Sequence, residues 1–361
     1  MKMVNVIGLD IGGANTKAAF LRVGKNVTQE VKVAIEYFPF WKRDRSELPV
    51  LLKRLRAEVA KQSTLDAVGV TMTAELSDAF QTKREGINYI LDSVENAFQG
   101  MEIFVLNVHA NLVSCEEARL KPLEVASANW AATGWMVSKM FSNCIVIDVG
   151  STSTSIIPII GGKIAAEGMN DLEKLINGEL VYTGALRTNV AAIVNAVPVK
   201  GRMARVSSEL FATSGDVHLI LGNIEGRDFS TDTADGRGKS RAEALARLAR
   251  IICADIEMLS EDEIVSIAEY VYRKQIKQIA RGLEQVYRRI ETRCGSDIPI
   301  IVTGIGRKFL ASEAAKVVGF RNIIDLGELL GTDIALASPC VGVSFMTASK
   351  LLGRDVSWKQ S

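Results

Sequence analysis

Histidine is scarce in this chain. His109 and His218 are the two in 361 residues, too few for a multi-histidine metal site or for most histidine relays. Cysteine is little used and unpaired in pattern: Cys115, Cys144, Cys253, Cys294 and Cys340 lie far apart and are odd in number, which gives neither a zinc-ligand spacing nor a disulfide framework. They read as reduced thiols. No apolar run reaches the roughly 18 residues of a membrane span, and the first residues enter a strand pattern without a charged leader. A cytoplasmic location with no membrane partner is expected. No charge of one sign prevails either, since Lys+Arg 43 against Asp+Glu 42 leaves a formal +1, so neither a nucleic-acid coat nor a polybasic surface is indicated. Chemistry must then fall on carboxylates, lysines, hydroxyls and backbone amides.

The length suffices for about two domains with a sizeable core. Val4 to Asp10 is an apolar run that meets Ile11-Gly12-Gly13-Ala14-Asn15-Thr16-Lys17 and then a second run, Ala18 to Leu21. A strand, a tight glycine turn and a returning strand fit this order. The arrangement recurs in Cys144 to Ile160, where Asp148, Gly150, Ser151, Thr152, Ser153 and Thr154 take the turn. Two copies more than a hundred residues apart suggest two similar α/β halves facing across a cleft, placed at 1–125 (with a last helix at about 338–355) and 126–337. Helices are predicted over 46–62, 125–140 and 242–259, and a long one starts at the capping box Ser260/Glu263. Strands are predicted over 67–72, 103–108 and 298–302, the last ending in Thr303-Gly304-Ile305-Gly306. The polar run 227–240 reads as a mobile loop, and 338–352, rich in small residues, as the last helix.

An aspartate at a strand end followed by glycines and hydroxyls suits a phosphate. Glycines admit close backbone approach, amides and hydroxyls bond the oxygens, and the aspartate holds magnesium or a water. Asp10, Gly12, Gly13, Asn15, Thr16 and Lys17 form one such turn; Asp148, Gly150, Ser151, Thr152, Ser153 and Thr154 form the other. Asp10 and Asp148 are the candidate magnesium ligands. Neither turn is a P-loop or a dinucleotide fingerprint, because neither holds Gly-Lys-Ser/Thr and no helix-opening Gly-x-Gly-x-x-Gly follows the first strand.

These turns, the two small-residue helices and the late Thr303, Gly304, Gly306 loop resemble the actin/sugar kinase/Hsp70 superfamily, whose fold is a pair of ribonuclease-H-like (actin-like ATPase) domains. Within it, residues 9–17, 71–78 and 209–217 resemble the hydantoinase/oxoprolinase branch, and in that branch the synthases of methanofuran biosynthesis, linked to tetrahydromethanopterin one-carbon metabolism. The resemblance implies an alkyl transfer: an aminomethylfuran methyl diphosphate is joined to the phenol of γ-glutamyltyramine, with diphosphate released. Its partners are then small molecules, a diphosphate and a phenolic amine, and self-association is left open. The late loop, with Arg307, holds adenosine in kinases of the superfamily, so an ATP-dependent kinase or ATP hydrolase is the alternative, with ATP as ligand.

The chemistry is compatible with the residues. Amides, Lys17 and magnesium would stabilise the leaving diphosphate, and the phenol, with an ordinary pKa near 10, calls for a carboxylate base. Asp148, Glu75 and Asp216 are the candidates. Glu75 reads equally as a helix cap with Ser77 and Asp78, and Asp216 as a turn residue. Arg237 and Lys239, flanked by glycines, suit an anion clamp or a merely solvated loop. His109 reads as a loop histidine, His218 as structural, and Lys83 with Arg84 as a surface charge pair.

Overall fold

The computed structural model describes residues 3–295 and 298–358. It divides into two compact units, one of residues up to 144, 157–174 and from 326 onward, the other of 145–156 and 175–325.

The first unit is built on a six-stranded sheet of β1 (Val4–Ile11), β2 (Asn15–Gly24), β3 (Val27–Tyr37), β4 (Ala67–Met72), β5 (Glu102–Leu106) and β6 (Leu112–Ser114), in the order β3-β2-β1-β4-β5-β6. β2 runs antiparallel to both β1 and β3, while β4 and β5 continue parallel to β1. Strands covered on both faces read as continuous apolar runs, and β4 is buried at every position. One face carries the helix Leu48–Ala60, which buries Leu48, Leu51, Leu52, Leu55 and Val59. The other carries the last helix, Ser338–Leu352, packed on β1, β2, β4 and the helix Asn129–Ser138. Its small residues are explained by close approach: a Cβ on Gly8 would lie 2.0 Å from the Cys340 carbonyl, and one on Gly69 2.1 Å from Thr347 Oγ1.

A second sheet repeats this strand sense. β7 (Cys144–Val149) and β8 (Thr154–Ile160) are neighbours, β9 (Lys163–Ile164) and β10 (Leu180–Val181) each pair antiparallel with β8, and β11 (Ala196–Val199) with β12 (Arg202–Arg205) form a separate hairpin. β13 (Ile300–Gly304) lies parallel to β7, and β14 (Ile323–Asp325) parallel to β13. The helix Glu261–Cys294, opened by the Ser260/Glu263 capping box, buries Ile264, Ile267, Val271, Ile279, Leu283, Val286 and Ile290.

Several boundaries differ from the sequence reading. The predicted 125–140 helix is two pieces, Pro122–Val125 and Asn129–Ser138, separated at Ser127, whose φ of 50° is left-handed. The 242–259 helix stops at Arg250, and Cys253 at φ 58° follows. The division expected at 125/126 falls later along the chain, because Asn129–Ser138 packs on the last helix and β4, and residues 326–337 join the first unit as well. The 227–240 run holds neither helix nor strand, yet it is tied down: Thr233 Oγ1 donates to the Arg237 carbonyl, Gly238 N–H to Glu243, and Arg247 to the Gly238 carbonyl. Among the described residues no helix is long and apolar enough to cross a membrane.

Candidate functional site

In the first unit the site is built at the carboxyl ends of β1 and β4, where ligands of open α/β sheets gather. Asp10 is paired in register with Thr71 on β4 and with Lys17 on β2. It is 4% exposed; Lys17 Nζ stands 3.8 Å from Oδ2, while the buried Oδ1 has no hydrogen-bond partner. Burial raises its pKa and Lys17 pulls it down. Gly12 N–H donates to the Asn15 carbonyl at 3.0 Å and closes the turn. The turn meets the segment after β4: a Cβ on Gly12 would lie 3.5 Å from Thr73 Oγ1, and one on Gly13 4.0 Å from Ser77 Cβ. Thr16, with its hydroxyl buried, belongs to the same layer.

Glu75 follows in the short turn Ala74–Leu76 and is 1% exposed. The helix Lys83–Ala97 reaches it through Gly86, where an added Cβ would lie 2.6 Å from the Glu75 Cα. Ser127 Oγ lies at hydrogen-bond distance, 2.8 Å, from Glu75 Oε1, whereas the buried Oε2 has no hydrogen-bond partner. Burial pushes this carboxyl up to about 7, against the Ser127 hydrogen bond and the Lys83 charge. A carboxyl poised near neutrality has the property of a general base. It is no helix cap.

Ser127 Oγ also lies 2.8 Å from Asp171 Oδ2, which accepts from Lys83 Nζ at 3.1 Å. Lys83 is therefore not one of a surface charge pair with Arg84: it is half-buried and belongs to the Glu75 network. Sequence reasoning missed Ser127 and Asp171 altogether. Neither stands in a motif, and both are far from Glu75 along the chain.

In the second unit Asp148 pairs in register with Thr303 across β7 and β13. Gly150 N–H donates to the Ser153 carbonyl at 2.9 Å, and the amides of Ala185, Leu186 and Arg187 bond back to the Gly150 and Ser151 carbonyls. Gly184 makes this approach possible, since a Cβ there would be 2.5 Å from the Thr152 carbonyl carbon. Arg187 donates to Thr152 Oγ1 at 3.0 Å. Thr154 is a tether rather than a ligand group, fully buried with Oγ1 donating to the Thr183 carbonyl. Gly304, at φ 85°, is held against the same turn: a Cβ would meet the Val149 carbonyl oxygen at 2.3 Å and Asp148 Oδ1 at 2.7 Å. Gly306 N–H donates to that carbonyl, while Arg307 braces the loop from Asp325 and the Gly304 carbonyl.

Other candidates have structural occupations. Asp216 is not a turn residue: it closes a capping box with Thr213 and accepts from Arg247 Nε at 2.7 Å, with both side chains fully buried. His218 is buried between Gln275 and Asn223, and burial lowers it to about 3. His109 is exposed, its N–H donating to Asn107. Arg237 Nε stands 4.0 Å from Asp235, and Lys239 Nζ lies over the Phe229 ring at 5.6 Å.

No group of three or more His, Cys, Asp or Glu converges among the described residues. Magnesium needs no such group, because it commonly binds through one or two carboxylates plus substrate phosphates. The buried, unpartnered Oδ1 of Asp10 fits one such ligand.

A sequence model of the hydantoinase/oxoprolinase family matches residues 66–328 of the 361. The chain belongs to the hydantoinase/oxoprolinase family. The hydantoinase/oxoprolinase match begins at the entry to β4, so it contains Glu75, Ser127, Asp148 and Asp171, while the Asp10 turn precedes it. Along 349 residues the chain is 37% identical to the (4-{4-[2-(γ-L-glutamylamino)ethyl]phenoxymethyl}furan-2-yl)methanamine synthase of Methanocaldococcus jannaschii, covering 96% of this chain and 99% of that protein. A protein of the same name from Methanococcus vannielii is 38% identical over 212 residues, 58% of this chain and 92% of that one. Among solved structures, acetone carboxylase in its nucleotide-free form superposes with a TM-score of 0.54 at 11% identity, covering 96% of this chain and 70% of that one. That likeness bears on fold alone: an α/β chain of actin-like ATPase type in two units.

Proposed function

We propose that this chain is a transferase of methanofuran biosynthesis, joining an aminomethylfuran methyl diphosphate to the phenol of γ-glutamyltyramine. The observation that carries the reading is the end-to-end similarity to the Methanocaldococcus jannaschii synthase, 37% over 96% of the chain. The residues supply roles that fit. The furfuryl carbon–oxygen bond to diphosphate breaks, its electron pair leaves with the diphosphate, and the phenol oxygen forms the aryl ether. The phenol proton passes to Glu75 Oε2. This oxygen is buried, so proton transfer requires that it be uncovered to the substrate. Lys17 and the amides of the turn beyond Gly12 meet the departing charge. Magnesium, when bound, would be held by Asp10 and would neutralise part of that charge; Asp148 is the candidate carboxylate of the second turn.

Turnover then requires ionised Glu75. The rate of diphosphate release is expected to rise with pH along an acid limb centred near 7, where burial places this carboxyl. The pH profile of diphosphate release in the parent, set against that of Glu75→Gln, checks this. A limb near 4, where an ordinary exposed carboxylate titrates, would assign the proton to another group.

A further inference from the structure

We propose that Ser127 and Asp171 form the proton exit of Glu75, carrying the proton taken from substrate out to solvent. The inference rests on the reading of Glu75 as the base, and its geometry stands independently. A serine hydroxyl has one hydrogen, yet Ser127 Oγ lies 2.8 Å from both Glu75 Oε1 and Asp171 Oδ2. It cannot donate to both at once. When both contacts are hydrogen bonds, one carboxyl carries a proton and donates to Oγ. Asp171 is the one that accepts from Lys83, at 3.1 Å. The protonated partner is therefore Glu75, buried to 1%, while the Asp171 side chain is 22% exposed. The row runs from a closed end to an open one.

Backbone strain points the same way. Ser127 stands at φ 50°, a conformation that glycine adopts freely and other L-residues adopt at a cost. A serine kept there retains a hydroxyl that glycine would not supply. Transfer balances without any co-reactant. The proton received on Glu75 Oε2 moves to the Oε1 position by rotation of the carboxyl and then passes to Ser127 Oγ. The Ser127 hydrogen passes to Asp171 Oδ2, and Asp171 releases it to water. Glu75 is left ionised, Ser127 neutral and Asp171 restored beside Lys83. The charged groups acting on Glu75 from the packed elements are Lys83, on the helix Lys83–Ala97, and Asp171, on the helix Asp171–Ile176.

Ser127→Gly removes the hydroxyl while suiting the backbone, and Asp171→Asn removes the acceptor. In the full chain each is expected to lower kcat by roughly 10- to 100-fold with KM little changed, short of the roughly 10²–10⁴-fold carried by general acid–base catalysis as a whole. Added imidazole, a small proton acceptor, is expected to restore kcat in proportion to its concentration. The acid limb is expected to move down in Asp171→Asn, which loses a like charge. Parent-like kcat in both variants, or a loss that imidazole does not touch, would overturn the relay while leaving Glu75 as base. Parent-like turnover in Glu75→Gln, measured alongside, would remove the base and the relay with it.

Discussion

Glu75→Gln is expected to lose roughly 10²–10⁴-fold in turnover while melting at a higher temperature than the parent at pH 8. The first effect follows from removing the base without changing the shape of the side chain. The second follows from linkage. Burial raises the folded pKa to about 7 from an ordinary 4.5, so the protonated form favours the fold. The stability contributed is full below 4.5 and is lost as pH rises through 7, on the order of 3 kcal/mol in all. Glutamine has no charge to bury and escapes that loss. Turnover and thermal unfolding measured on the same samples check both halves. A variant that is inactive and also less stable at pH 8 would make Glu75 a structural carboxylate and not a base held ready at a cost.

Lys17→Ala carries the other large effect. Lys17 Nζ is 3.8 Å from Asp10 Oδ2, with a side chain 22% exposed, and is thus both the cation at the first turn and the partner of its buried carboxylate. Removing one such charge from a diphosphate site is expected to cost on the order of 2–4 kcal/mol of transition-state stabilisation, roughly 30-fold to a thousandfold in rate. Asp10→Asn and Asp148→Asn are expected to fall in the same range with the fold retained. Asp10 is the informative one, because a strand-end carboxylate can also be structural. Loss of melting temperature with the rate per folded molecule intact would assign it that role, and near-normal turnover in both Asn variants would remove the turns from the reaction.

Much of this was legible in the sequence where local pattern decides structure. The two strand–Asp–Gly–hydroxyl units became β1–β2 and β7–β8, with both aspartates in parallel register beside Thr71 and Thr303. The last helix was legible from its own small residues, which the structure explains by close approach to Gly8 and Gly69, where a Cβ has no space. What sequence did not show arises from tertiary contact. Nothing about Ser127 marks a left-handed break in a helix-forming stretch, nor its meeting with Glu75 and Asp171. Lys83 looks like any charge at the start of an amphipathic helix until Asp171 is brought beside it. Asp216 illustrates the reverse error: an acid next to glycine in a family-like string proves to be a buried capping box anchored by Arg247.

The central claim, diphosphate-releasing ether formation, is tested most directly by product analysis on the purified chain. An aminomethylfuran methyl diphosphate and γ-glutamyltyramine are supplied with magnesium and no ATP, and diphosphate and the coupled product are quantified together. The expected result is one diphosphate released per aryl ether formed. Product that forms only when ATP is added, with ADP accumulating in step, would contradict it.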